Sequence, residues 1–214
     1  MKPTILFISI AMLAFLNAKD QPKIKLSLLH DNNYKNNAHK IESEQAFELA
    51  SQIFNSTEFY NAIKDLSFVY PNHCLTCETL DYSRKTRIPG KEVLQRLFKN
   101  PSALLSFNLE EGECRGPLGH TCPEWENKEH ETTTYYLADS CNMHELETKY
   151  RLAVNICHEY MHFIGYCHPA KMGIEPQNGD IPNAINYRDD IAYRVGWIAY
   201  YICVEWQKKS HSLK

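Results

Sequence analysis

Residues 142–168, NMHELETKYRLAVNICHEYMHFIGYCH, decide the fold that this sequence predicts. Between residues 152 and 164 apolar side chains cover nearly every side of a helix, which is typical of a helix buried at the centre of a domain. His158, Glu159 and His162 interrupt that apolar surface. Because residues four apart lie on one face of a helix, both histidines can bind one metal ion. Buried polar groups need partners, and a metal ion supplies one.

Two residues extend this pattern beyond the end of the helix. Gly165 can adopt the left-handed conformation that ends a helix and turns the chain. The turn allows His168 to return to the same ion, so we predict Zn²⁺ bound by His158, His162 and His168. Three protein ligands and one open position are typical of a catalytic zinc site, whereas a structural site closes all four positions. Glu159 lies about 100° from His158 around the helix and can reach a water on the metal without binding it.

The sequence also predicts where this helix begins. Asn142 and Glu145 have the spacing of a capping box, which places the first helical residue near Met143. Glu145 and Glu147 in the first turn suit the positive end of the helix dipole.

The spacing His158-Glu159-x-x-His162-x-x-Gly165-x-x-His168 resembles the extended zinc-binding motif of the metzincin metallopeptidases. The resemblance implies an α+β fold of minimal zincin type, with a small mixed sheet, a central zinc-binding helix and a C-terminal helix. It implies a zinc metalloendopeptidase that hydrolyses peptide bonds by a zinc-bound water, with Glu159 as general base. The alternative is a catalytically silent binding protein of zincin fold, an inhibitor or adhesin. Intact Glu159 favours the enzyme, because a binder needs no general base.

A second resemblance concerns residues 191–196, IAYRVG, which are similar to the ending of small secreted bacterial zincin-like proteins. In those proteins a tyrosine lies near the metal. Tyr193 is therefore the candidate that stabilises the oxyanion during hydrolysis, with Tyr187 in reserve. The commoner place for a tyrosine in such an aromatic segment is the core.

Other residues bear on the family assignment. A gluzincin-like enzyme would take Glu175 or Glu205 as its third ligand, but Gly165 and His168 make that ligand unnecessary. The last methionine, Met172, follows His168 by only four residues, whereas the metzincin methionine turn lies further downstream.

The beginning of the chain has the features of a secretory signal peptide over residues 1–18: Lys2, an apolar run over 5–16, and Ala18. Residues 19–214 then form a single zincin-like domain, secreted or periplasmic. The formal net charge of -3 is too small to favour nucleic acid or an anionic membrane as partner. We expect a monomer without stable membrane insertion, acting on a peptide or protein substrate.

Eight cysteines in a secreted chain favour up to four disulfide bonds. Cys74 and Cys77 form a CxxC pair, which can be a redox pair, half of a zinc site, or part of a disulfide-bonded loop. The secretory context favours the disulfide or loop role. Cys157 is expected to be structural. Cys167 either forms a disulfide that holds the His168 loop or, less simply, binds zinc and keeps the enzyme latent.

The remaining sequence predicts short strands and helices separated by loops, with residues 110–131 as a long irregular stretch. Strands are predicted at 23–30, 67–70, 103–109 and 132–138, and a turn at 88–90. Helices are predicted at 43–66, with a break near 55–56, at 91–99, and at 189–205, with an interruption at Gly196. The residues after that last helix, with Lys208, Lys209 and His211, are expected to be a frayed tail.

Overall fold

The computed structural model describes residues 23–28, 37–69, 87–99, 102–112, 119–122, 131–137, 143, 145–166 and 190–212. Several sequence predictions lie outside the described residues: the signal peptide over 1–18, the pair Cys74 and Cys77, Cys167, His168, Glu175 and Tyr187.

Within these ranges the chain forms six strands and five helices. In chain order they are β1 (Lys25–Leu28), α1 (Asn37–Phe54), α2 (Thr57–Lys64), β2 (Ser67–Val69), β3 (Arg87–Pro89), α3 (Gly90–Lys99), β4 (Ser102–Gly112), β5 (Gly119–Cys122), β6 (Glu131–Leu137), α4 (Thr148–Phe163) and α5 (Ile191–Ser212). None of the described helices combines the length and the apolar character that crossing a membrane requires.

Four strands form a mixed sheet in the order β1-β4-β6-β5. Strands β1, β4 and β6 run parallel, with Leu26 opposite Ala103 and Asn108 opposite Thr133. Strand β5 is antiparallel to β6 and pairs His120 with Thr133. Strands β2 and β3 form a separate antiparallel pair. In the described sheet, β5 is therefore an edge strand that has β6 as its one neighbour.

The predicted break between the first two helices is confirmed, and two side chains explain it. Ser56 is the N-cap of α2, and its hydroxyl accepts a hydrogen bond from the backbone N–H of Phe59. Asn55 leaves the helix to bind the residue that precedes strand β1: its amide donates to the carbonyl of Ile24 at 2.7 Å and accepts from the same residue's N–H at 2.8 Å. The break therefore ties α1 to the edge of the sheet.

Helix α4 is the centre of the core. It packs against α1 on one side, α5 on another, and β5 and β6 at the sheet. The prediction of a helix buried nearly all round is confirmed. Fully buried apolar residues cover one half of it, and the other half is also buried, at Arg151, Val154, Asn155 and Glu159.

Helix α4 begins at Thr148, so the predicted start near Met143 is wrong. Met143 has a φ of 75°, which no residue in a right-handed helix adopts. Contacts from α5 hold this segment outside the helix. The side chain of Gln207 accepts a hydrogen bond from the N–H of Glu147 at 2.8 Å and donates to the carbonyl of Glu145 at 2.6 Å. Tertiary contacts therefore override the local capping pattern.

Helix α5 corrects two further predictions. It continues through Gly196 without interruption and reaches Ser212, well beyond the predicted end at Glu205. In this helical tail the ring of His211 pairs with the carboxylate of Glu147 at 2.9 Å. At the other end, the buried carboxylate of Asp190 accepts a hydrogen bond from the N–H of Tyr193 at 2.8 Å and caps the helix.

Candidate metal site

His158 and His162 meet on one face of α4. Their Nε2 atoms lie 3.2 Å apart, and their rings make an edge-to-face contact with centroids 5.0 Å apart. Both side chains are partly exposed, unlike most of the helix around them. The four-residue spacing therefore places the two ring nitrogens at one point beside the helix, as the sequence predicts.

The backbone fixes the ring of His162. Its Nδ1 atom lies 2.5 Å from the carbonyl oxygen of Tyr166. A carbonyl oxygen can only accept a hydrogen bond, so Nδ1 carries the proton. In the neutral ring this leaves Nε2 with a lone pair directed at His158. A carbonyl group that orients a histidine in this way is the usual partner of a metal-binding imidazole.

The distance between the two Nε2 atoms fits a shared metal ion. Zinc binds histidine nitrogen at about 2.0–2.1 Å. Two nitrogens 3.2 Å apart, each at that distance, would subtend an angle of roughly 100–105° at the ion, which is close to tetrahedral. Two lone pairs facing each other at 3.2 Å repel unless a proton or a cation lies between them.

Glu159 follows His158 directly in α4, about 100° from it around the helix and about 60° from His162. Its side chain is only 3% exposed. Asn155 and Arg151, also buried, precede it at four-residue steps, so three polar side chains follow one line along the helix. Asn155 interrupts the apolar pattern in the sequence, but Arg151 gives no such signal, because an arginine at the start of a helix is usually solvent-exposed.

Gly165 forms the turn that the sequence predicts. Its φ is 95°, in the region that favours glycine. The N–H of Tyr166 bonds the carbonyl of Met161 at 2.9 Å, and the N–H of Gly165 bonds that of His162 at 2.8 Å. This pair of bonds is a Schellman motif, which closes the end of α4.

Arg96 of α3 holds the outside of this turn, a contact with no signal in the sequence. Its Nε donates to the carbonyl of Ile164 at 2.6 Å, and its guanidinium carbon lies 5.3 Å from the centroid of the Tyr166 ring. A distant part of the chain therefore contacts both residues that flank Gly165.

Helix α5 forms the other wall of the site. The ring of Tyr193 contacts that of His158 edge to face, with centroids 4.9 Å apart. Gly196, one turn later, leaves room for the ring of His158. The structure therefore brings Tyr193 to the candidate ligands. Glu205, the alternative third ligand, lies about 18 Å beyond Tyr193 along the helix, where its exposed carboxylate pairs with Lys208.

The third predicted ligand, His168, follows the last described residue of this segment by two positions. Within the described part of the chain, no group of three His, Cys, Asp or Glu side chains is placed to hold one metal ion. The described residues thus bring together His158, His162 and Tyr193, while the roles of Glu159 and His168 stay predictions.

Cys157 and Cys203 are free thiols, and both are fully buried. Burial raises the pKa of Cys157 well above its ordinary value, and the nearby Cys203 raises it further. Burial raises the pKa of Cys203 to about 12. Its Sγ lies 3.9 Å from the carbonyl oxygen of Tyr150. These two cysteines are packing groups between α4 and α5. Because both are free, the other six of the eight cysteines can form at most three disulfide bonds, so the upper limit of four set by the sequence is wrong.

Comparisons with protein-family models, with curated proteins and with solved structures found no significant match to this chain.

Proposed function

We propose that this protein is a secreted zinc metalloendopeptidase of minimal zincin type, in which His158, His162 and His168 hold Zn²⁺ and Glu159 is the general base. One observation carries the proposal: the Nε2 atoms of His158 and His162 lie 3.2 Å apart, while Nδ1 of His162 faces the Tyr166 carbonyl. This arrangement directs imidazole nitrogens at one point, as a shared cation requires.

The chemistry of hydrolysis divides between the metal and the protein. A bound zinc ion supplies a Lewis acid that polarises the attacking water and the scissile carbonyl group. Glu159 takes the proton of the water on its carboxylate and delivers it to the leaving amine nitrogen. Its position supports this role, because it follows His158 directly in α4 and its 3% exposure limits competition from bulk water.

Tyr193 supplies a hydrogen-bond donor to the same reaction. Attack on the carbonyl group places negative charge on its oxygen, and a phenol O–H directed at that oxygen stabilises the transition state. The contact between the rings of Tyr193 and His158 supports this assignment. Tyr193 is also partly exposed rather than buried in the core.

Strand β5 is the proposed binding site for the substrate backbone. It is one of the two edge strands of the described sheet, and it lies beside α4. An extended peptide can pair with such an edge through backbone hydrogen bonds, which do not depend on the peptide's sequence. The side chains of the peptide then decide specificity.

The test measures zinc content and peptide hydrolysis together. The mature protein should contain one zinc per chain by elemental analysis, and it should cleave members of a random peptide library only without chelator. His211→Ala is the matched control, because it removes a histidine from the far end of α5 and should leave both properties unchanged. A protein that binds no zinc would contradict the proposal.

The second candidate is a zincin-fold protein that binds a partner without hydrolysis. Trp197 and Tyr201 favour it: these large aromatic side chains on α5 are 48% and 63% exposed, and such residues are enriched in protein interfaces. A protein with one zinc and no cleavage of any library peptide would support this alternative over the peptidase.

A further inference from the structure

We propose that Arg96 is a positioning residue for His162: it fixes the turn after α4 and, through that turn, the tautomer and direction of the imidazole ring. The consequence for metal binding rests on the proposed function, whereas the effect on the ring itself does not.

The first step is the contact of Arg96 with the end of the helix. Ile164 is the C-cap of α4, and its carbonyl is one of the acceptors that a helix end leaves without an intrahelical partner. Ile164 is buried, so an unpaired carbonyl there would be costly. The Nε of Arg96 satisfies that carbonyl at 2.6 Å, and its positive charge suits the negative end of the helix dipole.

The second step is the contact of Arg96 with Tyr166. The guanidinium group lies over the tyrosine ring, 5.3 Å from carbon to centroid, and the ring is only 3% exposed. Such a cation–π contact restrains the ring on one side while the core restrains it on the other. One side chain from α3 therefore holds Tyr166 and Ile164, the residues on either side of Gly165, in a fixed relation.

The third step leads from Tyr166 to His162. The carbonyl of Tyr166 keeps the proton on Nδ1 of His162 over a distance of 2.5 Å. That carbonyl belongs to a residue just past the turn, where the Schellman bonds end, so its direction depends on how the turn is held. Without Arg96, the carbonyl can rotate away, and the neutral ring can carry its proton on Nε2 instead. A protonated Nε2 has no lone pair for a metal ion.

The test replaces Arg96 by Met, which has a long unbranched side chain but neither donor nor charge. Ring nitrogen shifts of His162, read by long-range ¹H–¹⁵N NMR on metal-free protein, report the tautomer directly. In the wild type we expect the proton on Nδ1, and in Arg96→Met a mixture of tautomers. Zinc affinity, measured by competition with a chromophoric chelator, should fall about 10–100-fold, as is usual when the partner of a metal-binding histidine is lost.

Arg87→Met is the matched control. Arg87, like Arg96, donates a hydrogen bond to a backbone carbonyl, that of Ser67 at 2.7 Å. Arg87 lies in β3 and Ser67 in β2, so this contact is not part of the turn after α4. The control variant should leave the tautomer and the zinc affinity unchanged, because it removes an arginine–carbonyl contact away from the turn. If Arg96→Met does not fold, Arg96→Lys provides the measurement, because lysine keeps the charge but cannot both bond Ile164 and lie flat on Tyr166.

The outcomes separate the two proposals. A His162 ring that keeps the wild-type tautomer in the folded Arg96 variants overturns the positioning role, whatever the zinc affinity. A mixture of tautomers in a protein whose wild type binds no zinc supports the positioning role and contradicts the proposed function. A mixture of tautomers together with the loss of zinc affinity supports both.

Discussion

Gly196 in α5 directly faces the ring of His158 in α4. A Cβ atom at position 196 would lie 3.5 Å from Cβ of His158 and 3.6 Å from its Nδ1. These are ordinary van der Waals distances, so one methyl group fits between the helices. A larger side chain would have to displace the imidazole ring. The glycine therefore sets the space in which a candidate metal ligand lies.

Gly196→Ala should stabilise the protein by about 0.5–1 kcal/mol, because alanine is the better residue in the middle of a helix and its methyl group meets no clash. Gly196→Leu should instead weaken zinc binding by pushing the ring of His158 aside. Denaturant unfolding and a zinc titration of both variants measure these effects. Equal zinc affinity in the leucine variant would show that the ring does not need this space.

Glu159→Gln should keep the zinc and the fold but lower the rate of peptide hydrolysis about 10²–10⁴-fold, the usual contribution of a general base. Glutamine has nearly the same shape, so binding of the metal and of substrate should be retained. The measurement is kcat at saturating peptide, with zinc content determined on the same sample. Hydrolysis at the wild-type rate would mean that another group accepts the proton.

His168→Ala should reduce zinc affinity, because two imidazoles from α4 would then bind the ion without the third ligand. The control is again His211→Ala. In the wild type His211 pairs with Glu147 at the far end of α5, away from the candidate metal site. Undiminished zinc affinity in the His168 variant would remove this residue from the site and direct the search to another ligand.

The contribution of Glu147 to the free energy of unfolding should depend on pH in the acid range. The hydrogen bond from His211 is the largest of the effects that lower the pKa of Glu147 below its ordinary value of 4.5. A lowered pKa in the folded state means that its contribution is fully present above pH 4.5 and is lost as the pH falls through the lowered value. Unfolding of the wild type and of Glu147→Gln should therefore differ at pH 6 and converge in strong acid. A constant difference down to pH 2 would contradict this reading.

Cys157 and Cys203 should resist alkylation at pH 8 in the native protein and react after denaturation, because both thiols are buried and their pKa values are raised. Mass spectrometry of the alkylated protein counts the modified cysteines. The alternative of a latent enzyme predicts that reaction of Cys167 with a thiol reagent raises peptidase activity. Activation of that kind would show that Cys167 is a zinc ligand rather than a structural residue.

The sequence predicts the elements whose signals are local. The apolar residues of α4, the spacing of His158 and His162, and the glycine turn at Gly165 all depend on neighbours within a few positions, and the structure has them as predicted. The same holds for the break at Ser56, where a hydroxyl side chain caps the next helix.

The predictions that are wrong depend on distant residues. The capping pattern of Asn142 and Glu145 is sound by itself, but Gln207 and the hydroxyl of Tyr200 bind the backbone and carboxylate of Glu145 from across the domain. The tail of α5 is polar and would fray alone, yet His211 finds its partner in Glu147. No short-range pattern contains such contacts.

Two strands are missing from the sequence prediction for the same reason. Residues 119–122, GHTC, alternate no apolar side chains, and they become β5 only because β6 lies beside them. Strand β3 ends at Pro89 and α3 begins at Gly90, where the sequence predicts a turn over residues 88–90. A Cβ at Gly90 would lie 1.8 Å from the carbonyl oxygen of Ile63, so the glycine serves the approach of α3 to α2 instead.

The antiparallel pairing of α4 with α5 has a consequence for the order of events during synthesis. Gly196 and Tyr193 complete the surroundings of His158, yet they are translated after the whole HExxH helix. At about 5–20 residues per second, roughly two to nine seconds separate Tyr166 from the end of α5. Over that interval the growing chain already carries both histidines of α4 but lacks the helix that encloses them. A chain that is still bound to the ribosome therefore has an incomplete site, which is completed only after α5 has been translated.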